Sequence, residues 1–174
     1  MNTTKNRVFG TLAVGILLFS LMFVAPVQAT SSHASGGGTY FVEPGVRSQF
    51  QLSLSHVQCK VGHAVLHDGT VMQMYMFSTS IDSVVIDSAA KTVLMTGSMI
   101  SIVRLRFPDG TSATLTETVP YTAFAEDNGN PGAGADFFSL EAIYTDTPEL
   151  DQFDLFGSPA VFAGVLATGN VTVK

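Results

Sequence analysis

The sequence predicts an all-β domain, an antiparallel meander of about eight to ten strands that closes as a barrel or a barrel-like sandwich. Three observations support this: apolar residues recur at every second position, short turn-forming sequences separate these runs, and no segment has the periodicity of an amphipathic helix. Short connections make neighbours in the sequence neighbours in the sheet. Because such a meander has two edges to protect, we expect it to close or to fold back on itself, and we favour the barrel.

An export signal occupies the start of the chain. Lys5 and Arg7 precede an apolar run that ends at Val24, and small residues follow up to Ala29. This order is typical of a cleavable signal peptide over residues 1–29. The apolar run is also close to the roughly 18 residues that can span a bilayer, so an uncleaved anchor is the alternative. We expect cleavage, secretion of the mature protein to the extracellular side, and no stable membrane insertion after cleavage.

The rest of the chain, roughly 145 residues, has the size of one domain. We assign residues 30–38, which are rich in Ser and Gly, to a flexible tether, and residues 39–174 to a single all-β domain. The formal net charge of -6 argues against nucleic acid and anionic membranes as partners. The basic residues of this part are scattered along the sequence, which therefore predicts no basic patch.

Strands and turns alternate through the first half of the domain. The stretch "SQFQLSLSHV" places every second, apolar side chain on one face of a half-buried strand. "VGHAVLH" and "VMQMYMFS" are two strands joined by a hairpin turn at Asp68-Gly69. "DSVVID" and "KTVLMTGSMISIVRLRF" continue the series, and the second of these is expected to be bulged or divided at Gly97.

The second half has the same organisation with one interruption. Pro108-Asp109-Gly110 specifies another turn, and "DFFSLEAIY" and "GVLATGNVTVK" complete the strands. Between these two lies the acidic and aromatic segment 145–159, "TDTPELDQFDLFGSP", which is long for a connection in a compact domain. Loops of this length are usually functional or mobile, so the segment is a lid, a plug or a mobile loop, and the sequence does not decide which.

The loop "AEDNGNPGAGADFF" is the strongest candidate for metal chemistry. It fails as an EF-hand because its first glycine comes too early, and as a phosphate loop because Gly132-Ala133-Gly134 is followed by neither a further glycine nor a lysine. Its second half fits most of a calcium repeat that binds the ion between turns of a solenoid. A single calcium site would take its ligands from Asp127, Asn128, Asn130 and Asp136. The interpretation we favour is a turn in which the Asn and Asp side chains form hydrogen bonds with the backbone of the same loop.

Sulfur-containing side chains offer two further candidates. A single cysteine, Cys59, cannot form an internal disulfide, so we expect a buried, inert thiol. Met72, Met74 and Met76 share one face of a strand, where a thioether row could hold Cu(I). Their spacing lets at most two sulfurs converge, which favours core packing instead. We predict no cofactor-binding residue.

Two sequence blocks resemble a group of exported bacterial β-rich modules called post-COAP domains. These modules end in an Asp-Asn-Gly-x-Pro-Gly turn, an Asp-x-Phe-Ser strand and a last Gly-x-Leu-x-x-Gly-Asn-hydrophobic strand. The matching positions here are Asp127, Asn128, Gly129, Pro131, Gly132, Asp136, Phe138, Ser139, Gly164, Leu166, Gly169, Asn170 and Val171. The resemblance covers the chain from about Gly36 to the end. It implies a secreted, non-enzymatic β module and brings no ligand or catalytic residue with it.

The sequence thus predicts an exported, non-catalytic module that binds an extracellular protein or a glycan. One alternative is a small barrel enzyme, similar to an isomerase or a cyclase, with an apolar pocket lined by His63, His67 or Glu117. A deep pocket would favour that enzyme, and an interior filled by side chains would exclude it. The other alternative is a structural calcium-binding module. No nucleophile elbow or metalloprotease motif is present, so no catalytic residue is predicted.

Overall fold

Nine antiparallel strands form one curled, half-barrel sheet, so the prediction of an all-β meander is confirmed. The computed structural model describes residues 32–129, 131–144 and 159–174. The strands are β1 (Ala34–Glu43), β2 (Val46–Ser53), β3 (His56–Val65), β4 (Val71–Asp87), β5 (Thr92–Arg106), β6 (Ser112–Glu126), β7 (Phe137–Ala142), β8 (Ala160–Val165) and β9 (Thr168–Val173). This part of the chain contains no helix long and apolar enough to span a membrane.

The curl of the sheet follows from its strand order. The strands lie in the order β8-β7-β6-β5-β4-β3-β2-β1-β9, so β8 and β9 form opposite edges. Only two residues connect them, and three Cα-to-Cα steps reach at most about 11 Å. The edges must therefore approach each other. Between them, the Ala167 amide donates to the Thr39 carbonyl over 2.7 Å, and the Tyr40 hydroxyl lies 3.4 Å from the Phe162 carbonyl oxygen.

The apolar core lies on the concave, inner face of the sheet. The rings of Phe50 and Phe138 stack with centroids 4.1 Å apart, and Tyr40 packs against both. Five methionines from β4 and β5 fill much of the remaining space: Met72, Met74, Met76, Met95 and Met99. The expectation that the first three of these pack in the core is confirmed, because all three are buried.

The predicted flexible tether is wrong over residues 34–38. These residues form the first half of β1 and pair with both β2 and β9. A Cβ atom at Gly38 would meet the carbonyl oxygen of Thr168, so glycine is required for the two backbones to approach. The Ser/Gly composition indicated flexibility, whereas these glycines serve close packing of the first strand against the last.

The Asp-Gly turns form as predicted. The Leu66 amide donates to the Thr70 carbonyl and the Gly69 amide to the Leu66 carbonyl, which closes the β3–β4 hairpin, and Gly69 has a φ of 86°. The Asp68 carboxylate accepts hydrogen bonds from the Thr70 amide and hydroxyl, which lower its pKa. Asp109 has the same arrangement with Thr111 in the β5–β6 hairpin. Short turn motifs fix these hairpins locally, which explains why the sequence located them.

The long hairpin of β4 and β5 is irregular in an unexpected place. β5 is neither divided nor bulged at Gly97. Instead, the register shifts on β4, between Ser78 and Ser80 and between Ile81 and Ser83, directly opposite Gly97. The glycine marks the irregularity, but the extra residues belong to its partner strand.

Several predictions fall on residues that the structure does not describe. The signal peptide over residues 1–29, Asn130, and nearly all of the segment 145–159 lie outside the described ranges. The assignments made to them stay predictions.

Candidate functional site

The loop between β6 and β7 is joined to the edge strand β9 through one carboxylate. Asp136 is completely buried. Its Oδ1 accepts a hydrogen bond from the Asn128 amide over 2.9 Å, and its Oδ2 accepts one from the Val171 amide of β9 over 2.6 Å. The Asp136 carbonyl also accepts from the Leu166 amide. One side chain thus holds the loop closed and fastens it to the strand at the far edge of the sheet.

Asn170 forms the reciprocal half of this connection. Its Oδ1 accepts a hydrogen bond from the Gly132 amide over 2.9 Å, while its Nδ2 donates to the Val171 carbonyl. The two blocks that carry the post-COAP resemblance are therefore in direct contact. In this protein their pattern serves closure of the sheet, and we call the contact of Asp136 and Asn170 with their partners the latch.

The candidate calcium ligands take part in hydrogen bonds of this loop. Asp127 Oδ2 accepts from the Val173 amide over 3.2 Å, and Asn128 Nδ2 donates to the Ala135 carbonyl. Within the described residues, no three His, Cys, Asp or Glu side chains gather as a metal site. The calcium site stays a prediction, and the described geometry gives these side chains a role in the backbone of the loop, as the favoured interpretation expects.

A small group of polar side chains lies inside the curled sheet. The Tyr40 hydroxyl is 3.3 Å from Cys59 Sγ, and the Tyr144 hydroxyl is 2.7 Å from Ser101 Oγ and 3.7 Å from Met74 Sδ. Burial raises the pKa of Tyr40, and it raises the pKa of both Cys59 and Tyr144 to about 12. All three groups therefore stay protonated at neutral pH and act as neutral hydrogen-bonding groups.

The expected buried thiol is confirmed, since Cys59 is free and fully buried. We expect a thiol reagent to leave Cys59 unmodified in the native protein at mildly alkaline pH and to modify it fully in concentrated guanidinium chloride, because the native thiol is both inaccessible and protonated. Measuring the absorbance of the released thiolate checks this. A Cys59→Ala variant that carries Ser55→Cys in the exposed β2–β3 turn is the control and should react natively. Equal native reaction rates for the two proteins would contradict the prediction.

The three residues proposed for an enzyme pocket do not come together. His63 is exposed and lies 2.9 Å from the Gln73 amide nitrogen, and His67 is exposed in the β3–β4 turn. Glu117 follows the alternation of the inner face on β6 and pairs in register with Ser101. His63 and Glu117 thus lie on opposite faces of the sheet, and His67 belongs to a turn.

The outer face of β1 to β4 carries a polar depression that we call the outer groove. It consists of two adjoining cavities of about 300 and 370 Å³, which share Gln49 and Lys60. Glycines of β1 and β3 form part of its floor, because they lack side chains on this face. Its polar walls are Arg47, Gln49, Gln51, Gln58, Lys60, His63 and Gln73. These residues supply amide and cationic groups without a single carboxylate.

Two cations, Arg47 and Lys60, line the outer groove, and a third, Arg104, lies next to it as the register partner of Gln73. Lys60 and Arg104 both lie over the ring of Tyr75, at 5.2 and 5.3 Å from its centroid. Arg47 is held on the neighbouring strand by a 3.0 Å hydrogen bond to Thr39 Oγ1. These cations, which are scattered along the sequence, thus lie together on one face of the sheet. The alternation of each strand places these cations on the outer face. The pairing register of β2, β3, β4 and β5 then brings their side chains next to each other.

The outer face of β4 to β8 is chemically different. We call its row of apolar side chains the apolar stripe: Val85, Leu94, Phe124, Phe137, Val161 and Val165. Val85 pairs with Leu94, which pairs with Phe124, and Phe137 pairs with Val165. The four aliphatic members are between 40% and 58% exposed.

Acidic side chains border the apolar stripe. Glu126 lies beside Phe137, Glu141 lies beside Val161, and Asp87 ends β4 next to the same row. An apolar surface with an acidic border differs from the outer groove in both hydropathy and charge. The outer face therefore presents two surfaces of different chemical character.

Comparison of the chain with protein-family models, with curated proteins and with solved structures finds no match. The resemblance to post-COAP domains stays a prediction.

Proposed function

We propose that this protein is an exported, non-catalytic module that docks a partner protein outside the cell. The observation that carries the proposal is the apolar stripe. Its four aliphatic side chains are about half exposed, whereas many other Val and Leu side chains of the sheet are buried. Contiguous exposed apolar patches of this kind mark interaction sites. The resemblance to secreted post-COAP modules agrees with this function.

The stripe has the composition of an interface. Two aromatic rings, those of Phe124 and Phe137, lie 6.3 Å apart at its centre and would anchor a partner. Covering each half-exposed Val or Leu contributes about 1 kcal/mol, so four of them together supply a useful part of a binding free energy. The acidic border opposes both a second copy of this chain and an anionic membrane, and it favours a partner whose apolar residues are flanked by Lys or Arg.

The alternative functions have less support. A mostly apolar cavity of about 190 Å³ lies between β1, β3, β4 and β8, but none of His63, His67 and Glu117 lines it. Among the described residues, aromatic and methionine side chains pack the inner face where a barrel enzyme would need its pocket. The calcium-binding module depends on oxygen ligands that serve as hydrogen-bond acceptors and donors in the loop, and on Asn130, which lies outside the described residues.

The test places a photo-crosslinking amino acid at Leu94 in protein exported by its own cells. We expect a discrete crosslinked product from this position and none from Ser55, an exposed position in a distant turn. Adding Val165→Lys should lower the yield at least about tenfold, because it places a charge in the interface. Adding Ser112→Lys, on the outer face of a strand end away from the stripe, should leave the yield unchanged.

Two outcomes would contradict this function. Equal yields from positions 94 and 55 would mean that the stripe has no partner. A product of twice the mass of the protein would identify a second copy rather than a different protein. Thermal melts of every variant show that the fold is retained.

A further inference from the structure

The outer groove concentrates positive charge in an acidic protein. The chain carries a formal net charge of -6, yet Arg47 and Lys60 line one depression, and Arg104 lies beside it over the same Tyr75 ring as Lys60. Within residues 32–129, 131–144 and 159–174, none of these three cations forms an ion pair with a carboxylate. A cluster of cations without carboxylate partners attracts an anionic ligand.

Tyr75 holds two of these cations in place. Lys60 and Arg104 repel each other, but the negative face of the ring attracts both. The ring is thereby occupied by cations, so it is not a free platform on which a nucleobase could stack. Recognition in this groove therefore depends on charge and on hydrogen bonds.

The remaining walls fit a chain rich in hydroxyl groups. Gln49, Gln51, Gln58 and Gln73 each offer an amide oxygen and an amide NH₂, which can accept from and donate to hydroxyls. The two adjoining cavities each have a volume in the range of small-molecule sites, and together they extend across four strands. A groove of this form suits several consecutive units of a polymer.

We propose that the outer groove binds an acidic polysaccharide, with uronate carboxylates at Lys60 and Arg104 and sugar hydroxyls at the glutamine amides. A carboxylate accepts charge-assisted hydrogen bonds from ammonium and guanidinium groups, and these are stronger than bonds between neutral groups. This site is separate from the apolar stripe, so the module joins a glycan on one half of its outer face to a protein on the other half.

The experiment titrates the mature protein with galacturonic acid oligosaccharides and, as the neutral probe, dextran oligosaccharides of the same length, using calorimetry. We expect saturable binding of the acidic oligosaccharide, weakened by added salt, and at least about tenfold weaker binding of the neutral one. The Lys60→Gln/Arg104→Gln variant should lose at least about tenfold in affinity. Lys91→Gln/Lys174→Gln removes the same charge elsewhere on the chain and should change affinity less than about twofold.

A pair of Tyr75 variants separates positioning from folding. Tyr75→Phe keeps the aromatic face and should retain affinity, whereas Tyr75→Leu removes it and should lose about fivefold with an unchanged melting temperature. The proposal is overturned by equal affinities for the acidic and neutral oligosaccharides, by equal losses in the two charge variants, or by no binding of the acidic oligosaccharide. Tighter binding of single-stranded DNA than of the acidic oligosaccharide would also overturn the proposal.

Discussion

Asp136→Ala is expected to lower the free energy of unfolding by about 3 kcal/mol, because two amides that now donate to a completely buried carboxylate would lose their acceptor. One of these amides, that of Val171, is itself buried, so water does not readily replace the lost bond. For a domain of this size the change corresponds to a fall in melting temperature of about 10 °C. Thermal and urea unfolding monitored by circular dichroism measure both quantities.

The latch also predicts which strand of the Asp136→Ala variant loses stability first. Amide hydrogen exchange in the Asp136→Ala variant should accelerate first in β9, which loses its bond to the loop, and later in the central strands. Asp82→Ala is the matched control, because that carboxylate accepts one bond from the exposed Ser80 hydroxyl. Surface changes of this kind usually stay within about 0.5 kcal/mol. A melting temperature of Asp136→Ala that equals the control's would show that the latch does not hold the sheet.

Phe138→Ala is expected to cost about 3 to 5 kcal/mol, the range for removing a buried aromatic side chain from a packed core. The ring is fully buried, stacks on Phe50 with an interplanar angle of 14°, and also contacts Tyr40. Its loss leaves a cavity between strands from both halves of the sheet, since Phe138 belongs to β7 and its two partners to β2 and β1. Equilibrium unfolding in urea measures the change.

The neighbouring residue provides the control for this substitution. Phe137 has the same side chain but points to the outer face, where it is half-buried and lies 6.3 Å from Phe124. Phe137→Ala should therefore cost about 1 kcal/mol. Similar losses from the two variants would mean that the inner and outer faces are assigned incorrectly.

Much of the fold could be predicted because its determinants are local. Alternation of apolar and polar residues identified the strands, and Asp68-Gly69 carried its own turn geometry. The buried state of Cys59 also followed from residue type. The start of the first strand was harder to predict, because its composition was misleading. The glycines of residues 34–38 indicated a flexible tether, although they allow β1 to pair closely with β9.

The candidate binding surfaces could not be predicted in the same way. Lys60, Tyr75 and Arg104 belong to three strands, and which of them face each other depends on the register of β3 to β5. The same holds for Leu94 and Phe124 in the apolar stripe. A shift of one residue in any pairing would move these side chains to the opposite face.

The sequence by itself determined the class of this protein, the alternation of its strands and the position of its Asp-Gly turns, because these depend on residues close together in the chain. Only the tertiary structure decided that Asp136 fastens the loop to β9, and that cations and apolar side chains separate into two outer surfaces. The physical reason is that both depend on contacts between residues far apart in the chain, and those contacts exist only once the sheet curls and its strands adopt one register.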